Sequence, residues 1–116
     1  VAHCGAKPVF VDIDYDHWCI DPDKIEEKIT INTKAIIVVH LYGHPCEMDK
    51  INGIAKKFKL QVIEDAAEAH GASFKNKMVG SMGKISIFSF FGNKRTCIIF
   101  SKTEDRFFEP CRLMKV

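Results

Sequence analysis

The feature that most constrains this chain is an apolar strand, an amphipathic helix and a second apolar strand in immediate succession. Residues 34–41 (KAIIVVHL) are almost continuously apolar, which is typical of a strand buried on both faces of a parallel sheet. Residues 48–58 carry apolar side chains at helical spacing, and residues 61–63 predict a second strand that stops at Glu64 and Asp65. This order predicts parallel strands joined by a right-handed helical crossover.

Other segments of the chain extend this pattern in both directions. Further strands are predicted over residues 8–13, 84–90 and 97–100, and further helices over residues 21–29, 65–69 and 104–114. The predicted fold class is therefore α/β, with a mostly parallel sheet flanked by helices. Its 116 residues are enough for one domain and not for two.

The charge balance of the chain argues against two classes of partner. Seventeen basic and fifteen acidic residues leave a net charge of +2, which does not predict binding to nucleic acid or to an anionic membrane. No apolar run approaches the roughly 20 residues of a membrane span. The first residues (VAHCG) include neither an initiator Met nor the features of a signal peptide, so we expect a truncated chain.

The cysteine content predicts free thiols. The count of five is odd and the chain contains no CxxC pair, which argues against a disulfide framework and against a structural zinc site. The five histidines also lack the spacing of metal ligands. We expect reduced cysteines and a cytoplasmic location.

Candidate site residues follow the predicted strands. In parallel sheets, ligands bind beyond the carboxyl ends of the strands, which here points to residues 40–43, to Glu64 and Asp65, and to Ser89 onward. A carboxylate such as Asp65 at the end of an apolar strand either pairs with a cation of a ligand or caps a helix N-terminus. Its position alone leaves both interpretations open.

Lys94 and three serines have similarly open interpretations. A lysine in a closed pocket loses its charge more easily and becomes a nucleophile toward aldehydes, whereas most loop lysines are simply solvated. Ser81, Ser86 and Ser89 offer hydroxyl groups to a phosphate, or they are ordinary turn and strand serines. No glycine-rich phosphate loop of a known pattern is present in the sequence.

Several linked motifs, taken in order, resemble one family. They are VIEDAAEAHGA at residues 62–72, VGS at 79–81 with Gly83, FSFFGNK at 88–94, HLYGHPC at 40–46 with Met48 and Asp49, and PVFVDID at 8–14 with WCIDP at 18–22. Together they are similar to the DegT/DnrJ/StrS family of sugar aminotransferases, which depend on pyridoxal 5'-phosphate (PLP). The likeness covers residues 5–94.

The resemblance implies a role for four residues. Lys94 matches the lysine that binds PLP covalently and moves a proton between substrate and cofactor, and Asp65 matches the carboxylate that pairs with the pyridine nitrogen. Ser89 matches a contact to the cofactor phosphate. Glu68 stands near the ring hydroxyl, where the family often has Gln or His. The lysine also distinguishes the chain from sugar dehydratases of the same fold, which have a histidine at that position.

The resemblance further implies a substrate and an assembly. The substrate is a 4-keto-6-deoxy sugar nucleotide of the perosamine type used in polysaccharide biosynthesis, and glutamate is the amino donor. Family members form homodimers with the active site between two subunits. Relative to a fold type I PLP-dependent transferase, residues 1–116 match one fragment of the large, PLP-binding domain, without the N-terminal portion or the C-terminal small domain.

One segment departs from the family pattern. The family continues after the lysine with Thr-Gly-Glu-Gly-Gly, whereas this chain reads Arg95, Thr96 and Cys97. We expect a short internal deletion there. A second interpretation therefore stays open, in which the chain is a catalytically inactive remnant that acts as a small α/β binding or structural module.

Overall fold

A computed structural model describes residues 1–90 and the backbone of residues 97–101. Lys94 and the helix predicted over residues 104–114 lie outside the described residues. No helix in the described part of the chain is both long and apolar enough to cross a membrane.

A four-stranded sheet organises the described chain, and its strands lie side by side in the order Ala35–Val39, Gln61–Asp65, Ile85–Ser89 and Cys97–Ser101. Its strands are β1 (Ala35–Val39), β2 (Gln61–Asp65), β5 (Ile85–Ser89) and β6 (Cys97–Ser101), while β3 (Ser73–Phe74) and β4 (Lys77–Met78) form a separate hairpin. Strands β1, β2 and β5 run parallel, and β6 runs antiparallel to β5. The predicted α/β class and the parallel centre of the sheet are thus confirmed, with an antiparallel edge.

The helix α1 (Met48–Phe58) forms as its sequence spacing predicts and packs on one face of the sheet. Its buried residues, Met48, Ile51 and Ala55, recur at helical spacing and join a core with alternate residues of β1 and β2. Lys59 ends the helix in the left-handed conformation, with its N–H directed to the carbonyl groups of Ala55 and Lys56. Leu60 then leads directly into β2.

The opposite face of the sheet is open in the described residues. Ile36 and Val38 are buried under α1, whereas Ile37 and Val39 remain 43% and 44% exposed. The prediction that residues 34–41 form a strand buried on both faces is therefore wrong for this structure. Side chains alternate along a strand, and α1 and its neighbours cover only one of the two faces.

The strand predicted over residues 8–13 is also wrong. Only an isolated bridge between Ile13 and Ile20 forms in this region, and Phe10 is 85% exposed. β-branched residues favour a strand only where a neighbouring strand packs against them, and within the described residues none lies beside this segment. The predicted helix over residues 21–29 forms as two short 3-10 turns, Pro22–Lys24 and Glu26–Lys28, with Asp21 capping the first by accepting from the Asp23 N–H.

The short helix predicted over residues 65–69 does not form. Asp65 still belongs to β2, and the N–H of Ala66 donates to the carbonyl of Ile87 at 2.8 Å, which continues the pairing with β5. A single turn follows, closed by the N–H of Ala69 bonding to the Ala66 carbonyl. The backbone groups that would form the first turn of a helix are therefore hydrogen-bonded to the neighbouring strand.

Candidate functional site

Asp65 and Ser89 lie at the same edge and on the same face of the sheet. They are the last residues of β2 and β5, two adjacent parallel strands. Asp65 is the register partner of Ile87, so Ser89 stands two residues further along β5 and its side chain points to the same side. The structure therefore brings together two of the four residues that the resemblance implies.

The Asp65 carboxylate is half-buried between apolar neighbours. Its register partners on the two sides are Val39 and Ile87, whose side chains share its face. Oδ1 of Asp65 accepts a hydrogen bond from the Ala67 N–H at 3.1 Å, which stabilises the turn after β2. Within the described residues, the other oxygen, Oδ2, has no hydrogen-bond partner. Asp65 thus acts as a cap and still offers one anionic oxygen to the open face.

Glu68 is exposed and joins the turn after β2 to the turn after β1. Its Oε2 accepts from the backbone N–H of Tyr42 at 3.2 Å, and Tyr42 has a positive φ of 49° in the turn Leu41–Gly43. A non-glycine residue in this conformation is uncommon, and the hydrogen bond helps to hold it. Glu68 therefore has a structural contact beside the candidate site.

The remaining serines belong to turns and to the covered face. The hydroxyl of Ser81 donates to the Met78 carbonyl at 2.7 Å within a turn. Ser86 is buried on the α1 face, where its hydroxyl donates to the carbonyl of Gly80. Ser81 and Ser86 are thus ordinary turn and strand serines, and Ser86 lies on the opposite side of the sheet from Asp65. Lys94 lies outside the described residues, between the register partners Ser89 and Cys97 in the sequence.

Sequence analysis placed Glu64 with Asp65 at the end of a strand but assigned it no role, and the structure shows one. It precedes Asp65 but points to the α1 face, where its side chain is fully buried. Four groups surround its carboxylate: Oε2 meets His40 Nε2 at 3.1 Å and the Gly80 N–H at 2.7 Å, while Oε1 accepts from the backbone N–H groups of Met82 and Gly83. Side chains alternate along a strand, so Glu64 shares the face of Val62 two residues earlier. The burial of Glu64 could have been predicted from this alternation.

The electrostatics of this cluster favour a carboxylate. Burial alone would raise the pKa of Glu64. The hydrogen bonds from His40 and from the N–H groups of Gly83, Gly80 and Met82 outweigh burial, so that the pKa lies below its ordinary value. Four donors and no acceptor face the group, which leaves no partner for a carboxylic acid proton.

The hydrogen bonds of His40 define its tautomer. The backbone N–H of Cys46 donates to Nδ1 of His40 at 3.1 Å, so Nδ1 acts as an acceptor and carries no proton. The ring proton therefore resides on Nε2, which donates to Glu64. The backbone N–H of His40 donates to the carbonyl of Asp65 at 3.0 Å. His40 thus contacts both consecutive acids, one through its ring and the other through its backbone.

Comparisons with known proteins agree with the motifs. The sequence model of the DegT/DnrJ/EryC1/StrS aminotransferase family matches residues 1–99 of this chain. GDP-perosamine synthase of Escherichia coli O157:H7 is 55% identical over 94 residues, which cover 81% of this chain and 26% of the relative. The dTDP-3-amino-3,6-dideoxy-alpha-D-galactopyranose transaminase of Aneurinibacillus thermoaerophilus is 60% identical over 86 residues, 74% of this chain and 24% of that protein. The chain spans about a quarter of the length of these curated relatives.

A third relative aligns along the whole chain. The pleiotropic regulatory protein of Geobacillus stearothermophilus is 45% identical over 121 aligned positions, which cover 100% of this chain and 32% of that protein. Since this chain has 116 residues, at least five of those positions have no counterpart in it.

Solved structures of aminotransferases share the fold. An aminotransferase from Psychrobacter cryohalolentis superposes with a TM-score of 0.75 at 48% identity, covering 77% of this chain and 22% of that one. NtdA of Bacillus subtilis, solved with bound cofactor PMP, superposes with a TM-score of 0.68 at 46% identity, covering 74% and 19%. Because the family match covers residues 1–99 of its 116 residues, this chain belongs to the DegT/DnrJ/EryC1/StrS aminotransferase family.

Proposed function

We propose that this chain forms part of the PLP site of an aminotransferase that acts on a keto sugar nucleotide. The observation that carries this proposal is the common placement of Asp65 and Ser89 at the carboxyl edge of adjacent parallel strands. Lys94 follows Ser89 by five residues in the sequence. When bound, PLP supplies an electron-accepting ring that allows an amino group to be exchanged between a donor and a ketone.

The surroundings of Asp65 fit a protonated pyridine ring. A cation beside Asp65 would meet Oδ2, the oxygen that has no partner in the described part of the chain. The apolar side chains of Val39 and Ile87 flank the carboxylate on the same face, where they could make van der Waals contacts with a ring. A carboxylate in such partly apolar surroundings pairs more strongly with a cation than one in bulk water. Asp65 would therefore keep the pyridine nitrogen protonated.

Ser89 and Lys94 are assigned the other two chemical tasks. The Ser89 hydroxyl, on the same face as Asp65, would donate to an oxygen of the cofactor phosphate. The Lys94 amine would bind the cofactor covalently and carry the proton during the exchange. The Lys94 assignment rests on the family motif alone, since Lys94 lies outside the described residues.

Glu68 is assigned a position near the cofactor's ring hydroxyl. In the described structure, its carboxylate accepts from Tyr42 N–H and lies in the turn directly after Asp65. Two carboxylate oxygens allow Glu68 to hold this turn and to accept from a second donor as well. We therefore include it among the cofactor contacts, together with Asp65, Ser89 and Lys94.

The names of the relatives support the proposed class of substrate, whereas the amino donor is what the family resemblance implies. One curated relative is named for perosamine and another for a 3-amino-3,6-dideoxy sugar, and both names include a nucleotide. We propose a 4-keto-6-deoxy sugar nucleotide as substrate, with glutamate as donor. A second subunit would complete the site, as the homodimers of the family imply.

The decisive experiment is covalent capture of PLP. The chain is incubated with PLP, reduced with borohydride and digested, and peptide mass spectrometry locates the label. We expect the label on Lys94 and its loss in Lys94→Ala. Lys84→Ala is the matched control, because Lys84 is an exposed lysine at the other end of β5. Asp65→Asn should weaken PLP binding by roughly tenfold or more, as expected for a lost ion pair with a partly buried carboxylate.

Two outcomes would contradict this assignment. Labelling spread evenly over exposed lysines, unchanged by Lys94→Ala, would show that the chain has no specific PLP site and would support the inactive-remnant interpretation. Specific labelling combined with transfer from glutamate to simple keto acids, and none to a 4-keto sugar nucleotide, would retain the cofactor and refute the substrate.

A further inference from the structure

The network around Glu64 suggests a role for this buried acid beyond the stability of the sheet. We infer that Glu64 is a positioning residue that fixes the Asp65 carboxylate on the opposite face. The functional meaning of this role rests on the proposed contact between Asp65 and PLP. The geometric part is independent of any cofactor.

Adjacent residues of a strand point to opposite faces, so the orientation of Asp65 follows from that of Glu64. Glu64 is held by four hydrogen bonds from groups that are distant in the sequence: His40 is 24 residues before it, and Gly80, Met82 and Gly83 are 16 to 19 residues after it. Rotation of β2 about its own axis would break all four. The carboxylate therefore fixes the end of β2 against twisting.

His40 extends this restraint to Asp65 itself. Its imidazole donates to Glu64, and its backbone N–H donates to the carbonyl of Asp65 at 3.0 Å. The Cys46 N–H, bonded to Nδ1, orients the ring. The end of β1 therefore holds two consecutive residues of β2 through one histidine.

The turn before β5 restrains the other side of Asp65. Glu64 accepts from three amides of residues 80–83, and Lys84 then donates its N–H to the Val62 carbonyl at 2.7 Å. Strand β5 begins directly afterwards and brings Ile87 beside Asp65. Glu64 thus sets the register of both strands that flank the Asp65 carboxylate.

Glu64 cannot itself be a catalytic residue on the Asp65 face. Its side chain has no exposed surface and lies beneath the sheet on the α1 side. All its donors come from the protein, so it has no free acceptor for a ligand. Its effect on the site must pass through the backbone, which makes it a positioning residue.

The Ala67 amide provides a direct readout, since its N–H donates to Oδ1 of Asp65 at 3.1 Å. Glu64→Gln keeps the size of the side chain but replaces one acceptor oxygen by an NH2 group, which cannot accept. We expect hydrogen exchange at Ala67 to become about tenfold faster, the factor that corresponds to one hydrogen bond. Affinity for PLP should fall by a similar factor.

Val62→Ala is the matched control, because Val62 is buried on the same face two residues earlier and makes no side-chain hydrogen bond. Val62→Ala should lower the stability of the fold, because it removes buried packing. Hydrogen exchange at Ala67 and affinity for PLP should stay within about twofold of the unmodified chain. Equal changes in both variants would show that Glu64 acts only through stability, and would overturn the inference.

Two further measurements keep the test decisive if Glu64→Gln does not fold. His40→Gln removes the imidazole and should also speed exchange at Ala67. Nitrogen-15 shifts of the imidazole in the unmodified chain should show a proton on Nε2 and none on Nδ1; the reverse would refute the network. Because neither readout needs PLP, a failure to bind PLP would contradict the proposed function without deciding the role of Glu64.

Discussion

Gly83 lies where the Glu64 network leaves almost no space, and its replacement by alanine gives the sharpest test of that geometry. A Cβ atom on Gly83 would stand 2.9 Å from the Val62 carbonyl oxygen and 3.1 Å from both Cγ and Oε1 of Glu64. The first contact is with the backbone of a central strand, which cannot turn away as a flexible side chain can. Either the turn before β5 or β2 itself must shift.

The expected cost follows from three contributions. Inserting one carbon into a packed site costs about 1–3 kcal/mol. A shift of the turn also weakens its hydrogen bonds to Glu64, each worth about 1 kcal/mol. Replacing glycine also lowers the conformational entropy of the unfolded chain, which raises the free energy of unfolding by only about 0.4–1 kcal/mol. Gly83→Ala should therefore lower the free energy of unfolding by about 1–3 kcal/mol.

Urea unfolding followed by far-ultraviolet circular dichroism measures this difference. Gly53→Ala is the matched control: Gly53 lies within α1 and a Cβ there meets nothing within 4 Å, so the same change should stabilise the chain by about 0.8–1 kcal/mol. Opposite signs for the two variants are the expected result. A Gly83→Ala variant as stable as the unmodified chain would refute the packing described around Glu64.

Two further predictions concern ionisable groups. Because the pKa of Glu64 is lowered in the folded chain, its contribution to stability is full above its ordinary value of 4.5 and is lost as the pH falls through the folded value. Unfolding measured between neutral pH and about pH 3 should show this loss, and Glu64→Gln should flatten it; an unchanged slope would contradict the carboxylate assignment. Burial and the neighbouring Cys19 raise the pKa of Cys46, whose thiol donates to the Val39 carbonyl, so exposed Cys4 should be alkylated well before Cys46 in the native chain. Peptide mass spectrometry at short reaction times measures that order, and equal rates would contradict the burial of Cys46.

Asp65 combines an observed structural role with the proposed role as a counter-ion. Its position alone allowed either a cap or a counter-ion. In the structure, Oδ1 caps the following turn, and Oδ2 remains available on the open face within the described residues. The cap restrains the carboxylate, which would reduce the conformational entropy lost if the proposed cofactor binds there.

Local patterns in the sequence determined the elements that carry strong periodicity. The apolar spacing of residues 48–58 predicted α1 with its observed bounds, and the apolar runs predicted β1, β2 and β5 to within a few residues. The order of these elements was enough to predict a parallel sheet. The family motifs made Asp65 and Ser89 candidates, and the alternation of side chains along the strands places both on one face of the sheet. All these signals act over a few neighbouring residues, so the sequence contains them directly.

Only the tertiary structure decided which partners each segment finds. The segment 8–13 has the composition of a strand but has no neighbouring strand in the described chain. Residues 65–69 do not form a helix, because the N–H of Ala66 donates to the carbonyl of Ile87. Glu64 and Asp65 look alike in the sequence, yet one binds four distant donors beneath the sheet and the other faces outward. Hydrogen bonds across 16 to 26 residues depend on how strands align in space, and local spacing carries no record of that alignment.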